Sequence, residues 1–469
     1  MDRNGSDLVP FFRPRSIAVF GSFKEGSFAG YPALQQLIGF GFPGNVYPVN
    51  PRYDEVLGVK SYGSIVEVPG PVDLVMIMTN AAAVPEIMAQ CGEKGVKAAI
   101  VVSDGFAEKD GEGATLQRTV VDIARRAGIR IIGPNTAGTM SAQDRIICCA
   151  YRSGYEEVTE GPVAIVSQTG LLAPQSVPWT ELGWGVSKLI DLANKCDVDE
   201  SDVLDYLRDD PGVGVIAFHL EDVKDGQRFL RLARQVTRQK PILVLKPGRT
   251  QEGARAVASH TGSLAGDDRL FDSLCTQAGI IRVDRWTDLT GFAKALAHQP
   301  LPRGNRLGII SATGGGAAMM ADTAAQCGLT VARLSAQGST ELKQLYPPGW
   351  GGANPVDLGP TMTYHGPGEF ASLYRKALDI LLADDNVDCI ATITVLDLVG
   401  LWKRIHREIA EELAGKVSKP IVSWMCGPSA SDVTELVRTM DRLGFPAYLD
   451  PETPVRALGA MRRYAGTLS

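Results

Sequence analysis

Ser16-Ile17-Ala18-Val19-Phe20-Gly21-Ser22-Phe23-Lys24-Glu25-Gly26 is the stretch on which the fold turns. A short apolar run ends in a polar turn bounded by glycines, and a helix is expected over residues 31–40. The same pattern recurs downstream. Strands are expected at 45–49, 72–78, 98–102 and 130–132, with helical runs at 84–94 and 114–127 between the later ones. These strands are apolar throughout instead of alternating, as when helices cover both faces of a sheet. The reading is α/β: a parallel, doubly wound, Rossmann-like sheet filling residues 1–150.

In such a sheet ligands bind outside the carboxyl ends of the strands, where turns lead into helix N-termini. The turn after the first strand lacks the GxGxxG spacing of a dinucleotide fold. The second strand ends in Tyr47-Pro48-Val49-Asn50-Pro51-Arg52, with no acid to hold a ribose diol, so a nicotinamide oxidoreductase is disfavoured. What stands there instead is Ser22 and Lys24, with Arg52 and Lys60 on the next connection. Together they suit a phosphorylated nucleotide such as the 3'-phospho-ADP end of coenzyme A; any one alone reads as a solvated charge. Val102-Ser103-Asp104-Gly105-Phe106 and Ile132-Gly133-Pro134-Asn135-Thr136-Ala137-Gly138 line the same edge, although turn chemistry alone would account for both.

A second α/β unit is expected over 151–300, with strands at 162–166, 186–190, 213–218, 241–246 and 280–283. Its first strand opens into Ser167-Gln168-Thr169-Gly170, small polar residues able to start a helix and aim backbone N–H groups at an anion. Pro174 and Pro178 then suggest a short or kinked first turn. Glu221 closes another strand, where it reads equally as a surface carboxylate or as a group that orients a neighbouring imidazole. A third unit of similar size is expected over 301–469. Its strand at 306–311 leads into Ala312-Thr313-Gly314-Gly315-Gly316, a turn that suits either an anion or close packing. Both units read as flavodoxin-like.

Between the strand at 241–246 and a helical run at 267–278 lies Ala258-Ser259-His260-Thr261-Gly262-Ser263-Leu264-Ala265-Gly266-Asp267-Asp268, which reads as a long loop ending at an acidic cap. His260 on it is either a solvated histidine or a base, metal ligand or nucleophile.

Composition narrows the function classes. The 469 residues carry a net charge of −6 with no Lys/Arg cluster, against a nucleic-acid footprint. No apolar run approaches a membrane span and residues 1–10 lack a signal-peptide pattern, so a cytoplasmic protein is expected. Cys91, Cys148, Cys149, Cys196, Cys275, Cys327, Cys389 and Cys426 show no CxxC spacing, and neither a zinc site nor a disulfide framework is indicated.

The ordered set FRPRSIAVFGS, NVYPVNPRYDEVLG, IRIIGPN, VAIVSQTG, DVDESDVLDYL, PILVLKPGRTQEGARAVASHTGSLAGDD and ANPVDL resembles the α subunit of the NDP-forming acyl-CoA synthetases. These are the ADP-forming acetyl-CoA synthetases, related to succinyl-CoA synthetase. The resemblance implies CoA binding by the first domain and transient phosphorylation of His260, steadied by Glu221. It places Gly21, Ser22, Lys24, Val102, Ser103 and Asp104 at CoA, with Arg52 a weaker match. Ser167, Gln168, Thr169, Gly170, Gly314, Gly315 and Gly316 fall at the phosphate. No segment resembles an ATP-grasp domain, so a separate β chain is expected to bring ATP or ADP with Mg2+, and no metal site is expected here.

The chain also departs from that family. Thr136 stands for a usual Cys, Thr169 for a common Ser, Ala193 for the Gly before Asn194-Lys195, and Ala312-Thr313 for Asn-Ala. The resemblance implies that these positions lie around the acyl group and its phosphate. They imply either a different acid or a CoA- or acyl-CoA-sensing protein of the same fold with impaired chemistry.

Overall fold

The computed structural model describes residues 5–26, 30–150, 158–170, 177, 182–261, 267–361, 367–395 and 401–468. The chain divides into two compact units, Met1–Glu181 with Gly185–Arg282, and Leu182–Trp184 with Val283–Ser469.

The first unit holds two large sheets. One is parallel and five-stranded, built from β1 (Ser16–Gly21), β2 (Asn45–Val49), β5 (Leu74–Met78), β6 (Ala98–Val101) and β7 (Arg130–Ile132) in the order β2-β1-β5-β6-β7. A small hairpin, β3 (Glu55–Val56) and β4 (Val59–Lys60), interrupts the connection after β2. Every residue of β1, β5 and β6 is buried, as the continuous apolar runs require when both faces are covered. The second sheet contains β10 (Glu160–Ser167), β11 (Val186–Asp191), β12 (Val215–His219), β13 (Ile242–Leu245) and β14 (Ile281–Val283) in the order β14-β13-β12-β10-β11.

One element escapes the sequence reading. β8 (Gly138–Ser141) and β9 (Ile146–Cys149) form an antiparallel hairpin, and β8 pairs with β11, with Met140 opposite Leu189. The hairpin follows the last strand of the first sheet in the chain yet completes the edge of the second. Both strands are only four residues long, and in β8 the polar residues Thr139 and Ser141 are buried, so neither periodicity nor hydrophobicity marks that strand.

The second unit carries β15 (Arg306–Ser311), β16 (Thr330–Val331), β17 (Val356–Asp357), β18 (Cys389–Val395), β19 (Ile421–Cys426) and β20 (Ala447–Tyr448), ordered β16-β15-β18-β19-β20 with β17 also on β15. The helix Trp286–His298 packs within this unit on the helix Glu452–Leu468. Tyr448 Oη donates to Gly291 O at 2.7 Å, and Lys294 pairs with Asp441 at 3.0 Å.

All three sheets share one logic. β1, β10 and β15 each lie between the parallel strand that follows (β2, β11 and the two-residue β16) and a later one (β5, β12 and β18), so the chain leaves first to one side and then to the other. The crevice of each sheet therefore falls beside β1, β10 and β15, which is where ligands bind in doubly wound sheets.

The expected loop around His260 is corrected by the structure. The helix Gln251–Thr261 includes Ala258, Ser259 and His260. Ala254, Ala256 and Ala258 explain it: alanine is the best helix former, and Glu252 in the first turn suits the helix dipole. Residues 262–266 lie outside the described residues, as do Pro174 and Pro178.

Candidate functional site

At the carboxyl edge of the first sheet, the end of β1 abuts the start of the helix Gly30–Gly39. A Cβ on Gly21 would stand 2.8 Å from Gly30 N, so only glycine admits this approach. Asn50 donates from Nδ2 to Gly21 O at 2.7 Å and ties the end of β2 to it. Ser22, Lys24 and Arg52 are exposed around this junction.

Farther along the same edge, a cavity of about 490 Å³ opens at the ends of β5, β6 and β7. Thr79, Val102, Ser103 and Asp104 line one side, and Ser103 Oγ accepts from Thr79 N at 3.2 Å. The other side comes from the second sheet: Gln168, Thr169 and Gly170 after β10, with Asp191 and Ala193 at the end of β11. Residues expected at CoA and residues expected at phosphate thus share one cavity. Gly21, Ser22, Lys24 and Arg52 do not line it; they occupy the β1–β2 half of the edge.

The turn after β10 is built by its own serine. Ser167 Oγ donates to Thr169 O at 2.9 Å and accepts from Thr169 N at 3.1 Å. Ser311 repeats this after β15, donating to Thr313 O at 2.6 Å and accepting from Thr313 N at 2.8 Å. Val166-Ser167-Gln168-Thr169-Gly170 and Ile310-Ser311-Ala312-Thr313-Gly314 are therefore a repeat at residue level, which a comparison of the two strand ends would have found. Gly314, Gly315 and Gly316 are not a turn ahead of the helix but its first residues, after the cap Thr313. Gly316 is closely packed: a Cβ there would stand 2.8 Å from Ile393 Cδ1 and 3.0 Å from Trp424 Cζ3, so those side chains would have to shift. A Cβ on Gly314 would stand 3.2 Å from Asp357 Oδ2, so a carboxylate already adjoins this helix start.

Glu221 lies two residues past β12, beside the crevice of the second sheet, and is buried. Its backbone N donates to Gln168 Oε1 at 2.9 Å. The next residue, Asp222, is held by Lys195, whose Nζ lies 2.6 Å from Asp222 Oδ1 and 2.8 Å from Glu200 Oε2. Burial alone would raise the Asp222 pKa, but the charge and hydrogen bond of Lys195 hold it below the ordinary value. His219 contacts Ser167 Oγ through Nδ1 at 3.3 Å; burial lowers its pKa to about 4 and keeps the ring neutral.

The sequence reading missed three ionisable groups here: Asp191, Lys195 and Lys246. Burial pushes the Asp191 pKa up to about 7, against hydrogen bonds from Ala137 N and Ala193 N and with the help of the Glu221 charge. Lys246, at the end of β13, is buried, and burial lowers its pKa against the opposing charges of Asp268, Asp222 and Glu221. Their shared signal was in view: a charged residue at or just past the end of an apolar strand, in KLIDLANK and ILVLK. His260 lies on the helix that follows β13, and its side chain lies outside the described residues. Among the described residues no group of three or more His, Cys, Asp or Glu could hold a metal ion, and no helix is long and apolar enough to cross a membrane.

Three family models match the chain in order: a CoA-binding domain over residues 15–142, a succinyl-CoA ligase-like flavodoxin domain over 160–296 and a ligase-CoA domain over 307–469. The α subunit of the ADP-forming acetate–CoA ligase II of Pyrococcus furiosus is 36% identical over 97% of both chains. The ADP-forming acetate–CoA ligase II of Archaeoglobus fulgidus is 35% identical over 98% of this chain and 67% of its own length. The dinucleotide-forming acetyl-coenzyme A synthetase 1 of Candidatus Korarchaeum cryptofilum, solved with phosphate and ADP, superimposes with a TM-score of 0.88 at 32% identity, covering 98% of this chain and 97% of its own. The chain belongs to the α-subunit family of the ADP-forming acyl-CoA ligases, acid–thiol ligases in which an α subunit implies a partner chain.

Proposed function

We propose that this chain binds CoA and carries the phosphohistidine of an acyl-CoA synthetase that interconverts a carboxylate, CoA and ATP with acyl-CoA, ADP and phosphate. The observation that carries the proposal is the shared cavity: Val102, Ser103 and Asp104 on one wall face Gln168, Thr169 and Gly170 on the other. A CoA thiol and an acyl phosphate must meet in such a place.

The chemistry needs that meeting. A free carboxylate would have to expel oxide when CoA sulfur attacks, whereas an acyl phosphate expels phosphate. In one direction His260 takes the phosphoryl group from the acyl phosphate, releasing the free carboxylate, and passes it to ADP; in the other it is phosphorylated by ATP and hands the group to the carboxylate, with Glu221 stabilising the imidazole. Gly170, at the crevice beside β10, lies where a backbone N–H can meet the transferring group. Gly21, Ser22, Lys24 and Arg52 take the phosphorylated end of CoA at the other half of the edge. An ATP-grasp partner supplies ATP or ADP with Mg2+, and the assembly works in the cytoplasm, where CoA and ATP are both present.

The test is acid-labile phosphate on intact protein after incubation of the chain with its partner subunit and Mg-ATP, without CoA. Phosphate on the wild type and none on His260→Ala is the expected result. Bound CoA with no phosphate on the wild type would leave a CoA-binding protein and overturn the synthetase reading.

A further inference from the structure

Gln168 sits in the turn expected to face phosphate, yet its hydrogen bonds point elsewhere. The backbone N–H donates to His219 O at 3.0 Å. Side-chain Oε1 accepts from Glu221 N at 2.9 Å and from Asp222 N at 3.1 Å, while Nε2 donates to Asp222 Oδ1 at 2.6 Å. The amide has one sensible orientation, because the reverse would set its NH2 group against two backbone N–H donors and its oxygen against a carboxylate. The side chain is buried and reaches from the end of β10 to the end of β12, across the crevice of the second sheet.

The same turn is gripped from a second direction. Lys195 Nζ donates to Asp222 O at 2.9 Å in addition to its ion pairs with Asp222 and Glu200. Glu200 Oε1 in turn accepts from Lys224 N at 2.7 Å. Backbone on both sides of Glu221 is therefore fixed by side chains from other strand ends, and Glu221 itself is carried at a set position.

We infer that Gln168 is a positioning residue: its amide fixes the turn that carries Glu221, and through Glu221 it sets the imidazole of His260 for phosphoryl transfer. This rests on the proposed function. A phosphate ligand at this position would need donors facing the cavity, whereas the backbone N–H of Gln168, its Oε1 and one of the two N–H bonds of Nε2 are already engaged within the protein.

The experiment is a double-mutant cycle in the chain assembled with its partner subunit, reading the rate of acid-labile phosphate uptake from Mg-ATP. Gln168→Met keeps the length and removes the amide. It is expected to slow phosphorylation about tenfold when Glu221 is present, and less than about twofold in a Glu221→Ala background, because coupled residues are not additive. An equal loss in both backgrounds, or no loss in either, would overturn the inference. So would a raised KM for phosphate with kcat spared, which marks a direct phosphate ligand. If Gln168→Met does not fold, as judged by thermal unfolding, Gln168→Asn shortens the reach of the amide and is expected to show the same dependence on Glu221. A wild type that takes up no phosphate would sink the proposed function and this inference with it; a wild type that does, with an additive cycle, would sink the inference alone.

Discussion

Lys195 Nζ lies 2.8 Å from Glu200 Oε2, and neither side chain has any exposed surface. With Asp222 also on Nζ, the lysine is the cation between two carboxylates. Lys195→Met removes this cation from the buried Glu200 and leaves Asp222 with Lys224 at 3.8 Å, which should cost about 3–5 kcal/mol of unfolding free energy. Urea unfolding of the two proteins measures the difference, and a loss under about 1 kcal/mol would show that the network tolerates an empty centre.

Asp191 gives the cavity a pH dependence. Its folded pKa of about 7 stands above the ordinary value of 3.8, so the native state holds a proton that the unfolded chain releases. Its contribution to stability is present in full below pH 3.8 and is lost as pH rises through 7. His219, with a pKa of about 4 against 6.5, slopes the opposite way: its contribution is full above pH 6.5 and lost as pH falls through 4. Asp191→Asn should therefore remove the falling component alone. Unfolding free energies at pH 5 and pH 7.5 would test it; an unchanged difference between those pH values would refute the shift.

Ala193 adopts φ +46°, in the left-handed region that alanine avoids. Ala193→Gly relieves strain of about 1–2 kcal/mol against a backbone entropy cost of about 0.5–1 kcal/mol. The expected outcome is a small gain in thermal midpoint, with CoA binding retained. A lower midpoint would mean that the hydrogen bond from Ala193 N to Asp191 Oδ1, 3.2 Å long, depends on the alanine methyl group holding the turn.

Gly138 begins β8 at φ +104°, and a Cβ there would lie 1.9 Å from Cys148 O. Gly138→Ala combines a forbidden conformation with a backbone clash and should destabilise by roughly 3 kcal/mol or more. Hydrogen exchange would locate the damage: amides of β8, β9 and β11 should lose protection before those of β5 and β6. Uniform loss would argue against a local role for the hairpin.

The sheets were legible because their strands are apolar on both faces and are closed by polar turns; β1, β2, β15 and β18 begin within a residue of where the pattern put them. The candidate edge was legible for the same reason, since a parallel sheet puts every turn after a strand on one side. What escaped was set by contacts distant in sequence. Asp191 accepts from Ala137 N, 54 positions earlier, and Lys195 pairs with Asp222 beyond the next strand as well as with the nearby Glu200. Gln168 looked like a turn residue because the residues it holds, Glu221 and Asp222, come more than fifty positions later. The helix Gln251–Thr261 was misread for a different reason: small polar residues were weighed as loop formers and the alanines among them were not weighed as helix formers.

The β8–β9 hairpin places the border between the two sheets at a different point in space than in sequence. Any exchange of the CoA-binding module between relatives, made where its last parallel strand ends, would leave the recipient's own hairpin to match its own β11. An exchange made after Cys149 would graft a foreign edge strand onto the neighbouring sheet. Modular inheritance in this chain thus has a preferred seam, just ahead of Gly138, and the wall of the cavity formed by Thr136 and Ala137 sits on that seam. Ala137 N donates to Asp191 Oδ2 at 2.6 Å across it, so each side of the seam has to suit the other.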